Sequence, residues 1–212
     1  MVQTENVVFV ISSCVALGLF ATSCAGMSWG ELNVSIDGNF HASGNFGLWR
    51  SCDSTSFGVR KCTENPVKQV NPKFQLTRGC NVMATIASIV AVIMAFINIT
   101  QNGNSIKNGG IGMACASGLG IVAGVIFTIF LEHIKDELNM LRGSFQNGSF
   151  YEFQYGWAYF LNWAGAGVAL FLALISLYDS RTKKTGPPGA LRMPEVTPEN
   201  EKAHNGCYWV YQ

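Results

Sequence analysis

Gly47-Leu48-Trp49-Arg50-Ser51-Cys52, followed ten residues later by Cys62, decides the reading of this chain. The stretch lies in the one long polar gap among four apolar runs, so a tryptophan and two cysteines stand outside segments of membrane length. The runs cover residues 7–27, 79–99, 111–131 and 157–178. Each holds about twenty residues with almost no charge, enough to cross about 30 Å of hydrocarbon. Charged residues make up 13% of the 212 and hydrophobic residues 49%, so the charges are confined to loops and tail. The formal net charge of +1 therefore carries no message, and no nucleic-acid partner is expected.

The first run reads as a membrane anchor. Ala21-Thr22-Ser23-Cys24-Ala25 has the small residues of a signal cleavage site, but residues 1–6 carry no Lys or Arg and the apolar stretch exceeds a signal-peptide core. Four spans put both ends on one side. The expected layout is a cytoplasmic N-terminus (1–6), an extracellular loop (28–78), a cytoplasmic turn (100–110), a second extracellular loop (132–156) and a cytoplasmic tail (179–212). Lys107 in the turn and Arg181, Lys183 and Lys184 after the last span favour this orientation, whereas basic residues in the long first loop weigh little. The tail holds Gly186-Pro187-Pro188-Gly189, cannot bury a core and is expected to be disordered. Its end, Tyr208-Trp209-Val210-Tyr211, is apolar enough to be a short binding motif or a membrane-surface contact.

Cys52 and Cys62 have a spacing that a β-hairpin can close, and disulfides persist on the oxidising side of a membrane. Cys24 and Cys80 lie near the outer ends of the first two spans, where either a second bridge or two buried thiols fits. Cys14 and Cys115 read as packing residues. Two glycosylation acceptors, Asn33-Val34-Ser35 and Asn147-Gly148-Ser149, fall in the loops placed outside, while Asn98-Ile99-Thr100 at an inner end should stay unmodified. Gly112, Ala116, Gly120 and Gly124 recur every four residues on the third span and leave a smooth stripe that lets helix backbones approach closely. Cys14, Gly18, Thr22 and Gly26 repeat that spacing on the first. A tight intramolecular bundle is the expected use, ahead of a homodimer face. No span carries a charged pair in mid-membrane, which argues against a proton relay or an ion pathway through one subunit.

In the first loop, alternation around Leu32–Ile36 and Phe46–Trp49 predicts half-buried strands joined by a turn at Asp37-Gly38-Asn39, with a second turn at Ser54–Gly58. The expected fold is an all-α transmembrane four-helix bundle with a small extracellular antiparallel β-sheet. The ordered set Trp29, Gly47-Leu48-Trp49, Cys52, Cys62 and Arg78 resembles the first-loop signature of the claudin, peripheral myelin protein and epithelial membrane protein superfamily. That resemblance implies a disulfide between neighbouring strands of a sheet standing on the bundle. It also implies that Trp29 and Trp49 anchor the sheet at the bilayer interface and that Arg78 satisfies loop carbonyls at the outer end of the second span. The chain departs from a typical junction claudin in two ways. It ends in Gln212 rather than an apolar residue, and it has no cysteine in 100–110 or 179–190 to acylate.

The resemblance implies a claudin-like role in cell–cell adhesion and in a paracellular barrier or channel at plasma-membrane contacts. The alternatives are an auxiliary gamma-type subunit of an ion channel or receptor and an epithelial-membrane-protein-like regulator of adhesion and trafficking. The partners expected are membrane lipid and either the protein itself, in cis and trans through its loops, or a pore-forming subunit; no small-molecule substrate is expected. Under the barrier reading, Lys61, Glu64 and Lys68 are candidates for biasing ion passage. Loop 28–78 carries six basic and four acidic residues, a small excess that suits a weak anion preference or a merely solvated surface. No enzyme is expected: His41, His133 and His204 lie in separate segments, no nucleophile elbow or phosphate loop is present, and no metal or cofactor is implied.

Overall fold

The computed structural model describes residues 4–36, 40–55, 60–64, 71–100, 107–142 and 150–182. Four helices, α1 (Thr4–Ala25), α2 (Pro72–Thr100), α3 (Lys107–Arg142) and α4 (Trp157–Thr182), are each long and apolar enough to cross a membrane. Five strands, β1 (Gly30–Ile36), β2 (Phe40–Phe46), β3 (Arg50–Thr55), β4 (Arg60–Glu64) and β5 (Phe150–Tyr155), form one antiparallel sheet in the order β4-β3-β2-β1-β5. The chain is therefore a multi-pass membrane protein with a four-helix bundle and a small sheet.

The helices start where local chemistry allows. Asn71 caps α2: its side-chain Oδ1 accepts from Lys73 N at 3.0 Å, and its carbonyl accepts from the amides of Phe74 and Gln75. Pro72 then occupies the first helical position, where its missing N–H costs nothing. Inside the bundle the contacts are small. Ala16, Ala84, Ala91, Ala116, Ala166 and Ala169 are buried with Phe9, Phe20 and Met113, as close helix packing in lipid requires.

The α3 stripe faces this interior. A Cβ on Gly112 would lie 2.8 Å from Ala91 of α2, one on Gly120 2.6 Å from Phe20 of α1, and one on Gly124 2.8 Å from Trp163 of α4; Ala116 is fully buried. The similar spacing on α1 has a different outcome. Cys14 and Thr22 are exposed and Gly18 has nothing within 4 Å, so only Gly26 of that set packs, against Ala158 and Trp157. The helical period instead turns Ser13, Ala16, Phe20 and Ser23 inward. Cys14 and Cys115, expected to pack, are both exposed on the helix surface.

Hydropathy marked the spans but not the helix ends. α2 begins at Pro72, inside the loop expected over 28–78, and α3 continues past residue 131 to Arg142. At 1.5 Å per residue its 36 residues reach about 54 Å, well beyond the hydrocarbon thickness. Backbone hydrogen bonding propagates through polar residues, and side-chain pairs support the extension: Lys135 to Glu132 at 2.9 Å and His133 to Glu137 at 3.4 Å. Phe46–Trp49 is also not a strand throughout. β2 stops at Phe46, and Gly47–Trp49 form a turn closed by Gly47 N donating to Arg50 O at 2.8 Å. β3 runs on to Thr55, into the turn expected from Ser54; Asp37–Asn39 and the tail from 183 lie outside the described residues.

Two buried amides tie three helices together. Asn81 Nδ2 donates to Asn162 Oδ1 at 3.0 Å, and Asn162 Nδ2 donates to the Gly120 carbonyl at 2.9 Å. Both residues are fully buried. Replacing Asn162 with leucine removes both bonds, and interhelical bonds of this kind place the loss at about 1–2 kcal/mol. The expected result is a lowered melting temperature in mild detergent; an unchanged midpoint would mean that the amides do not fasten the bundle.

Candidate functional site: the sheet anchor and its exposed ribbon

The sheet meets the bundle where α1 ends, α2 begins and the β2–β3 turn comes down. Trp29 lies four residues past the end of α1 and is 0% exposed. Its Nε1 donates to the Ser23 carbonyl at 2.8 Å, its backbone N donates to Phe46 O, and its carbonyl accepts from Gly156 N. The ring stands edge-on to Phe127 at 5.1 Å and to Tyr159 at 6.3 Å, within an aromatic cluster that includes Phe46, Phe74 and Phe153. One residue thus joins the sheet through its backbone and α1, α3 and α4 through its side chain.

The β2–β3 turn is pressed onto the end of α1. A Cβ on Gly47 would lie 2.5 Å from Gly26 O and 2.7 Å from Met27 Cα, so only glycine allows this approach. Leu48 is fully buried in the aromatic cluster, and its carbonyl accepts a hydrogen bond from Arg78 Nε. The Arg78 guanidinium carbon sits 5.3 Å from the Trp49 ring and 5.1 Å from the Phe74 ring. Trp49 Nε1 donates to Cys24 O at 2.8 Å while the ring remains 42% exposed. Trp29, Gly47-Leu48-Trp49 and Arg78, spread along the sequence, therefore form one bolt of close packing, hydrogen bonds and a single cation beside two rings, through which the sheet is held on the helices.

The chain belongs to the PMP-22/EMP/MP20/Claudin family. The family's sequence profile matches residues 3–176, which takes in α1 to α3, the sheet and α4 as far as Ser176. A comparison with curated proteins gives no match.

Within this claudin-family fold, the two tryptophans divide the role that the resemblance gave to both. Trp29 is core, enclosed by the Phe127 and Tyr159 rings with its indole N–H satisfied by the Ser23 carbonyl; of the two, Trp49 alone presents its ring outward. Cys52 and Cys62 are bonded and directly opposite in the β3–β4 register, with Cα atoms 4.0 Å apart. Cys24 and Cys80 are free thiols. Arg50 Nη2 and Glu64 Oε1 pair across the same two strands at 3.4 Å, with side chains 53% and 82% exposed. Lys61 is exposed and opposite Asp53 in the register; Lys68 and Asn147 lie outside the described residues. Asn33 is exposed on β1, between Ser43 and Glu152 in register.

A second attachment was not anticipated from sequence. Tyr155, the last residue of β5, donates its hydroxyl to Glu132 Oε1 at 2.9 Å, lies under the Lys135 ammonium at 5.1 Å and stacks on Tyr159 at 4.6 Å. Tyr159 in turn shares a 2.8 Å hydrogen bond with Thr128. Burial, followed by the bond to Glu132, pushes the Tyr155 phenol up to about 12, so it remains a donor throughout the physiological range. The sequence signal available was an aromatic residue just ahead of α4, but its partner on α3 lay beyond the hydropathic span. Among the described residues, no group of three or more His, Cys, Asp or Glu is placed to hold a metal ion.

Proposed function

We propose that this chain is a claudin-like adhesion protein of the plasma membrane, with cytoplasmic termini and the sheet outside, that associates with itself within and between membranes to form a paracellular barrier or channel. The observation that carries this reading is the placement of β4 as an edge strand of a sheet bolted to the bundle. An edge strand offers backbone donors and acceptors to another molecule, and a rigid mount removes much of the ordering cost of using them. The helices contribute the mount and the lipid contact. No catalytic role is part of this reading.

Expression in adhesion-negative cells tests it. The expected result is enrichment at contacts between two expressing cells, with strand-like polymers there. Diffuse label at such contacts overturns the reading. If a mild-detergent pull-down from the same cells also returns a pore-forming subunit in stoichiometric amount, the auxiliary-subunit alternative replaces it; diffuse label with no such partner leaves the adhesion and trafficking regulator.

A further inference from the structure

The β3–β4 ribbon carries its charges in cross-strand order. In register, Arg50 faces Glu64, Cys52 faces Cys62 and Asp53 faces Lys61. Side chains alternate between faces, so Arg50 and Glu64 share a face with the disulfide, and Asp53 and Lys61 lie on the other. The second face is continuous with Phe46, which is opposite Ser51 and packs into the aromatic cluster against the helices. Arg50 and Glu64 are therefore on the face turned away from the bundle, at the sheet's edge and open to water.

We propose that Arg50 is a specificity-determining residue that cancels the charge of Glu64, leaving this edge with little preference between cations and anions. The proposal rests on the barrier reading above. A lone carboxylate acts on passing ions out to about 8 Å in physiological salt, whereas opposite charges 3.4 Å apart act together as a dipole whose field dies away faster. The pair holds no great stability, since exposed ion pairs contribute little; its effect is on the local potential. Glu64 taken alone, as the sequence offers it, is an acidic site. Glu64 with Arg50 beside it is not, and only the β3–β4 register brings the two together.

The measurement is the dilution potential across junction-forming epithelial monolayers expressing the full chain, Arg50→Gln, Glu64→Gln and the double variant. One uncompensated charge at about 8 Å in water changes local ion abundance about two-fold, so the cation-to-anion permeability ratio should shift by about two- to five-fold. R50Q should move the ratio toward cations, E64Q toward anions, and the double variant should return to the parent value. A non-reducing gel and label at contacts verify that each variant keeps its disulfide and reaches the junction. If R50Q does not, E64Q gives the same test with opposite sign. Single variants that leave the ratio unchanged, in monolayers whose conductance the parent chain does alter, overturn the proposal while the barrier reading stands. A parent chain that neither alters conductance nor gathers at contacts overturns both.

Discussion

Trp29→Ala will release the sheet from the bundle. Emptying the site of a fully buried tryptophan costs about 3–5 kcal/mol, a large share of the stability of a chain this size. The loss has three physical parts. Edge-on contacts to Phe127 and Tyr159 vanish, the Ser23 carbonyl keeps only its 3.2 Å bond from the Gly26 amide, and the backbone bridge from Phe46 to Gly156 no longer has a ring to pack behind it. Trp29→Phe separates them, because it keeps most of the ring area and forfeits only the indole bond, at about 1 kcal/mol. Thermal unfolding by circular dichroism in mild detergent should place W29A far below the parent and W29F close to it. A W29A variant that melts with the parent would mean that the sheet is held elsewhere.

The second large effect concerns the disulfide. β4 has β3 as its one neighbour in the sheet order, and the link between Cys52 and Cys62 closes a loop whose cross-linking contributes about 3 kcal/mol in the chain-entropy model. Replacing both cysteines by serine avoids a stray thiol and should leave β3 in place, since β2 still pairs with it, while β4 opens locally. Hydrogen exchange of the amides of residues 60–64 should then quicken by about 100-fold, the factor equivalent to that free energy, with the helices unchanged. Exchange that stays slow across 60–64 would show that β4 is held by something other than the bridge.

The four spans were legible because lipid imposes a blunt requirement, a run of apolar residues with no charge, that sequence displays directly. The hairpin around the cysteines was legible from the spacing of Cys52 and Cys62 and the turn residues between them, since both are local. What escaped was set by distant partners. Gly47-Leu48-Trp49 alternates as a strand would, but the close approach of Gly47 to Met27 makes it a turn. Trp29 and Trp49 look alike in sequence and both donate to carbonyls at the end of α1, but only Trp29 is enclosed by rings from α3 and α4. Asn81 and Asn162 pass for isolated polar residues within apolar runs until the helices bring their amides together. The extension of α3 is hidden by its polarity, because hydropathy reports what faces lipid and is silent where a helix leaves it.

The strand order also dictates a sequence of events during synthesis. β1 lies between β2, its neighbour in the chain, and β5, which is made only after α2 and α3 have been threaded into the bilayer. The growing polypeptide must therefore hold a four-stranded meander whose β1 margin stays open until the ribosome has delivered residues 150–155, a prolonged exposure that favours premature pairing with neighbouring chains. Anything that slows insertion of the third helix lengthens that window, so faults in translocation should surface as tangled sheets even when every strand is intact.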